Sequence, residues 1–203
     1  MKPMEIEEKS MAIIEAELQV ALPEDIKPIV KRVIHATADF SFAQSLRFSP
    51  GVVQLMRDML RGGAAVITDT NMALAGITKP ALAKLGASAR CFMAEADVIA
   101  EAKARQTTRA AVSMERALAL PGPKLLVCGN APTFLFPLLD LAEKPRDVAV
   151  IGVPVGFVNV TEAKEQLWRS GLPCIAAMGR RGGSNVAAAI VNALLYGIEG
   201  VRP

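Results

Sequence analysis

Residues 124–133 read Lys-Leu-Leu-Val-Cys-Gly-Asn-Ala-Pro-Thr. Lys124–Cys128 is a short run that is apolar on both faces, and Gly129 stops it at once. A strand with no polar alternation suits the interior of a parallel sheet that is covered on both sides. Gly129-Asn130-Ala131-Pro132-Thr133 then forms a loop in which glycine lets the backbone come close to a ligand.

Runs of the same kind occur on either side. They are Ala64–Thr68, Ala89–Met93, Asp147–Gly152 and Pro173–Met178. Helical patterns separate them. One opens at Thr78-Lys79-Pro80, with Thr78 as N-cap and Pro80 in the first turn. A long one runs from about Asp97 to Leu120. Another opens at Asn159, where Glu162 stands at capping-box spacing, and the last is the small-residue stretch after Gly182. Strand–helix alternation predicts a three-layer α/β/α, Rossmann-like domain with a mostly parallel sheet.

Residues 1–63 read differently. Ile6, Ile13, Ile14 and Leu18 give Met4–Val20 an apolar stripe, and Ile26, Ile29, Val30, Val33 and Ile34 do the same for Pro23–Ile34. Ser49-Pro50 opens a third helix that ends at Gly62-Gly63. No linker-like composition divides these helices from the strand-rich remainder of the chain. The chain therefore reads as one domain, 1–203, with 1–63 a mainly helical flank and 64–199 the α/β core.

The 203 residues are 52% apolar and 21% charged, with a formal charge of +3, 4% aromatic residues and a single histidine, His35. One histidine excludes a His-rich metal cluster. The mild charge and scarce aromatics argue against a nucleic-acid partner. No apolar run is long enough for a membrane span, and the charged start Met1–Ser10 lacks the apolar core of a signal peptide. Cys91, Cys128 and Cys174 form no Cys-x-x-Cys pair, which points to a reducing cytoplasm.

Ligands of open parallel sheets bind outside the carboxyl ends of the strands. Four loops are expected there: Asp69–Met72, Gly129–Thr133, Gly152–Asn159 and Gly179-Arg180-Arg181-Gly182-Gly183-Ser184. Glycines, helix N-termini and arginines together suit a polyanionic ligand with a bulky body. Each loop also has an ordinary reading. Gly179–Ser184 and Gly129–Thr133 can be plain turns, and Asp69 a turn or cap residue. Neither Gly-x-Gly-x-x-Gly nor a Walker loop is present, so a nucleotide-dependent enzyme has only the fold behind it. His35 is either a helix C-terminal residue bonded to carbonyls or a proton donor, since only His titrates near neutrality unaided.

Arg32-Val33-Ile34-His35-Ala36-Thr37, Gly129–Thr133, Gly152-Val153-Pro154-Val155-Gly156-Phe157-Val158 and Gly179–Ser184 resemble, in order and spacing, the precorrin-8X methylmutase family. The similarity spans about residues 10–197. The resemblance implies an isomerase of cobalamin biosynthesis that moves a methyl group from C11 to C12 of precorrin-8X, giving hydrogenobyrinate, or of cobalt-precorrin-8, giving cobyrinate. It implies no cofactor and no metal held by the protein. His35 matches the catalytic acid. Ser10, Arg32 and Arg109 match positions of substrate contact, and Asp69, Asn130, Gly156, Arg180, Gly182 and Gly183 fall in the loops expected to line the same site. The family more often carries Lys where this chain has Arg181 and Ser where it has Ala163. A homodimer with sites near its interface is implied, as is hand-over of product to the next enzyme. The competing expectation is a non-catalytic corrinoid carrier of the same pathway.

Overall fold

The computed structural model describes residues 3–202. Met1, Lys2 and Pro203, which the expected domain includes, lie outside the described residues. The chain runs through α1 (Pro3–Glu17), α2 (Lys27–Thr37), α3 (Phe42–Ser45), β1 (Leu46–Phe48), α4 (Val52–Arg61), β2 (Ala65–Thr68), α5 (Asn71–Gly76), α6 (Lys79–Lys84) and β3 (Ser88–Arg90). It continues through α7 (Ala96–Ala104), α8 (Arg109–Ala119), β4 (Lys124–Cys128), a 3-10 turn at Pro132–Phe134, α9 (Phe136–Leu139), β5 (Val148–Gly152), α10 (Val160–Arg169), β6 (Cys174–Ala177) and α11 (Ser184–Tyr196).

The strands form one sheet in the order β1-β6-β5-β4-β2-β3, and all neighbours are parallel except β1 on β6. Alternate side chains of the buried strands feed two cores. Leu125, Val127, Ala149, Ile151 and Ile175 pack with the N-terminal helices and α11. Leu126, Cys128, Val150 and Cys174 pack with α7–α10. This is the three-layer arrangement expected of strands that are apolar on both faces. No helix of the described residues is long and apolar enough to cross a membrane.

Several local expectations need correction. β1 is absent from the sequence expectation. It closes one sheet edge with Leu46 opposite Ala177, and Ser49 extends the contact by accepting the Cys174 N–H on Oγ at 2.9 Å. The helix expected from Asp97 to Leu120 is two helices. The chain turns at Gln106, which has φ 51°, and Thr108 restarts it by accepting the Ala111 N–H at 3.1 Å. Asn159 forms no capping box, because its left-handed backbone (φ 58°) leaves its side chain without a cap hydrogen bond. Thr78 does stand at the N-cap position with Pro80 in the first turn, as expected, but its hydroxyl pairs with Tyr196 Oη at 2.7 Å and makes no cap hydrogen bond. The third N-terminal helix starts beyond Ser49-Pro50, at Val52, with Gly51 in the left-handed conformation before it.

Candidate functional site

The chain leaves β2 toward β3 on one side and returns to place β4, β5 and β6 on the other. The order of the sheet therefore reverses between β2 and β4, where a crevice opens at the carboxyl ends. Asp69, directly after β2, sits in that crevice with 0% exposure. Its carboxylate accepts the backbone N–H groups of Gly129 at 2.9 Å and of Asn130 and Ala131, each at 2.7 Å. Burial holds this carboxyl above its ordinary range, and the three N–H donors and Cys128 offset that only in part. The expectation for Asp69 is direct contact with ligand. The structure instead puts it beneath the loop after β4, where it shapes the backbone and leaves the Asn130 side chain exposed above.

The loops after β5 and β6 hold one another. Gly183 donates its N–H to Val153 O at 2.9 Å and Gly156 to Arg180 O at 3.1 Å. Gly156 and Gly183 have φ of 146° and 141°, a region in which side chains are strongly disfavoured. Gly129 lies against Ser184 and Ala187 at the start of α11, with no room for a Cβ. Ser184 Oγ reaches Thr70 Oγ1 at 2.8 Å, and Thr70 in turn caps α5 by accepting the Ala73 N–H. All four glycine- and polar-rich loops thus meet at one edge.

Exposed groups collect on that edge. Arg180 is exposed and lies over the Phe157 ring at 5.3 Å. Arg181 pairs with Asp39 at 2.7 Å and with Ser41 Oγ. Arg109, first residue of α8, is exposed and donates to Met93 O at 3.3 Å, at the carboxyl end of β3. Met72, Phe157 and Val158 are 73%, 82% and 76% exposed. A carboxylate-rich body with an apolar ring fits such a mixture of guanidinium groups, free backbone and apolar side chains.

His35 reaches the same edge from α2. Ile29, Val30, Val33 and Ile34 bury one face of that helix against α11, which leaves His35 exposed in its last turn. Ala38, with φ 53°, ends the helix by donating its N–H to Ile34 O at 2.7 Å. Asn185 Nδ2 meets Ala36 O at 3.5 Å, and Asp39 receives Arg181, so the end of α2 abuts the start of α11 and the loop before it.

Ser10 and Arg32 lie back from these loops, on the α1–α2 face. Ser10 Oγ donates to Ile6 O within its own helix at 2.9 Å. Arg32 pairs with Glu7 at 2.5 Å and lies over the Tyr196 ring at 4.8 Å. Burial pushes the Glu7 carboxyl up, but the hydrogen bond from Arg32 and the charges of Arg32, Arg202 and His35 hold it below the usual range. Arg32 is therefore committed to a protein carboxylate. A cleft of about 430 Å³ lies nearby, lined by Lys27, Lys31, Arg32, Arg57 and Arg202. Lys27 and Lys31 pair with Glu15, and Arg32 and Arg202 with Glu7, and His35 does not line it.

One residue of the site escapes the sequence reading. Lys164 is buried with 0% exposure, and its Nζ donates to Gly179 O at 2.8 Å and Arg181 O at 2.7 Å. Burial brings this ammonium down to about 8, partly offset by Cys128. The signal is present in the sequence: Val160, Ala163, Lys164 and Leu167 are the buried stripe of α10 at helical spacing. Among the described residues, no group of three or more His, Cys, Asp or Glu is placed to hold a metal ion.

The precorrin-8X methylmutase family model matches residues 5–197. A cobalt-precorrin-8 methylmutase of Salmonella typhimurium is 44% identical over 202 residues, covering 96% of this chain and 95% of that protein. A precorrin-8X methylmutase of Pseudomonas aeruginosa is 42% identical over 193 residues, covering 92% and 91%. The solved precorrin-8X methylmutase of Thermus thermophilus superposes with a TM-score of 0.87 at 36% identity, covering 95% of each chain. With matches that run almost from end to end in both sequence and structure, the chain belongs to the precorrin-8X methylmutase family, isomerases of cobalamin biosynthesis.

Proposed function

We propose that this chain moves the methyl group of a precorrin-8 macrocycle from C11 to C12, with His35 as general acid. The observation that carries this reading is the exposed His35 in the last turn of α2, a helix end that meets the start of α11 through Ala36 and Asn185 and the Gly179–Gly183 loop through Asp39 and Arg181. The imidazolium protonates the ring. The bond from C11 to the methyl carbon breaks as the bond to C12 forms, and the proton returns to His35. Substrate and product are isomers, so no oxidant or group donor enters. A positioned acid contributes about 10²–10⁴-fold, and holding the ring so that the methyl faces C12 contributes further. Arg109 and Arg180 bind rim carboxylates, with Asn130, Gly156, Gly182 and Gly183 offering polar contacts and close backbone.

His35→Ala, mixed in parallel with metal-free and cobalt-loaded precorrin-8, tests the reading by visible spectroscopy. The variant binds the corrinoid and leaves its spectrum unconverted, whereas the unsubstituted protein converts it. Full conversion by His35→Ala rejects His35 as the acid. Tight binding without conversion by the unsubstituted protein makes it a carrier. Comparing the two substrates shows which one it takes.

A further inference from the structure

Arg180 and the backbone of Gly182 and Gly183 are carried by a loop with little regular structure of its own. Gly179 and Gly183 have φ of 77° and 141°. The backbone bonds from this loop to the loop after β5 are the two from Gly156 to Arg180 and from Gly183 to Val153. Beneath it, the Lys164 ammonium spans the carbonyls of Gly179 and Arg181, one on each side of Arg180. Two carbonyls fixed by one point leave Arg180 little choice of backbone direction.

The neighbouring loop is held in the mirrored way. There a buried carboxylate, Asp69, gathers three N–H groups, and here a buried ammonium gathers two C=O groups. Cys128, at the end of β4, feels both charges: Asp69 raises its thiol and Lys164 lowers it, on top of the larger effect of burial. Burying a charge is costly even when it is hydrogen-bonded. An apolar side chain would fill the α10 stripe equally well.

We infer that Lys164 is a positioning residue, whose buried ammonium holds the Gly179–Gly183 loop in the shape that presents Arg180 and the glycine backbone to ligand. The inference rests on the reading that this edge receives the corrinoid. Lys164 touches no substrate and acts through the loop alone.

Lys164→Met in the full chain fills the same volume without donors, and Lys164→Gln keeps an uncharged donor on a shorter stem. Two readouts apply: amide hydrogen exchange of residues 179–184 without ligand, and KM and kcat for the corrinoid. In Lys164→Met, exchange in that segment accelerates about tenfold or more, and KM rises about tenfold while kcat stays within about threefold. Lys164→Gln falls between it and the unsubstituted protein. Unchanged exchange in either folded variant overturns the brace. Faster exchange with an unchanged KM overturns its bearing on ligand. If the unsubstituted protein neither binds nor converts the corrinoid, the functional reading fails, and the exchange measurement still decides whether Lys164 orders the loop.

Discussion

Gly182 lies against the carbonyl of Val153 so closely that a Cβ built on it would stand 2.1 Å from that oxygen. The contact joins the loops after β6 and β5 at the point where Gly183 donates to the same carbonyl. Gly182→Ala forces the two loops apart, because backbone cannot swing aside as a side chain can. The expected cost is about 2–3 kcal/mol, with loss of corrinoid binding. Gly51→Ala is the control: it adopts φ 69° with no atom within 4 Å of the new Cβ, so it costs only about 1–2 kcal/mol of backbone strain and leaves binding intact. Urea midpoints and corrinoid titrations compare them, and equal effects of the two substitutions on binding would refute the loop contact.

The arginines separate into two kinds. Arg180→Ala removes an exposed guanidinium stacked on Phe157, so it weakens corrinoid binding about tenfold and hardly moves the melting temperature. Arg32→Ala strips Glu7 of a partner and Tyr196 of its stacked cation. That costs roughly 1–2 kcal/mol of stability, with the smaller loss of binding. Calorimetric melts set beside titrations decide this, and the opposite ranking would show that Arg32 leaves Glu7 for the substrate.

At the amino end of the sheet, Lys124 is 3% exposed and its Nζ meets Asp147 Oδ2 at 2.8 Å. The hydrogen bond from Lys124 holds the Asp147 carboxyl below its ordinary range. The folded protein therefore binds that proton less readily than the unfolded chain does. The stabilisation is complete above the unfolded carboxyl's pKa of about 4 and disappears as pH falls through the lower folded value. Lys124→Met is thus most harmful near neutrality, and its gap from the unsubstituted protein narrows on acidification from pH 6 to pH 3. Parallel stability curves over that range would rule the pair out as a source of acid sensitivity.

What the sequence makes legible is the repeated part of the fold. Lys124–Cys128 is a strand with the boundaries its apolar run suggests, whereas the glycine after it, expected to make room for a ligand, makes room for the start of α11. The loops after β2, β4, β5 and β6 share one edge because parallel strands require it. Pairings over long separations are not legible. β1 is three residues, Leu-Arg-Phe, too short to show alternation, and its partner lies beyond residue 170. The break between α7 and α8 turns on Gln106 and Thr108, in a region whose overall composition still favours helix. Asp69 and Arg32 have the residue types of a binding site, but their partners, Gly129–Ala131 and Glu7, lie far away in sequence. Lys164 hides in plain view because a lysine on a helix ordinarily reads as surface.

Leu46 pairs with Ala177, and α2 packs its buried face on α11. The N-terminal layer is thus completed by the last strand and helix of the chain. α2 touches its sequence neighbours α1 and α3, but its buried face rests on α11, which comes from the far end of the sequence. Such distant pairings make folding slow relative to local contacts, and the packing of the helix that carries His35 on α11 is one of them. Without α11 the chain keeps the imidazole but loses the helix on which its own helix rests.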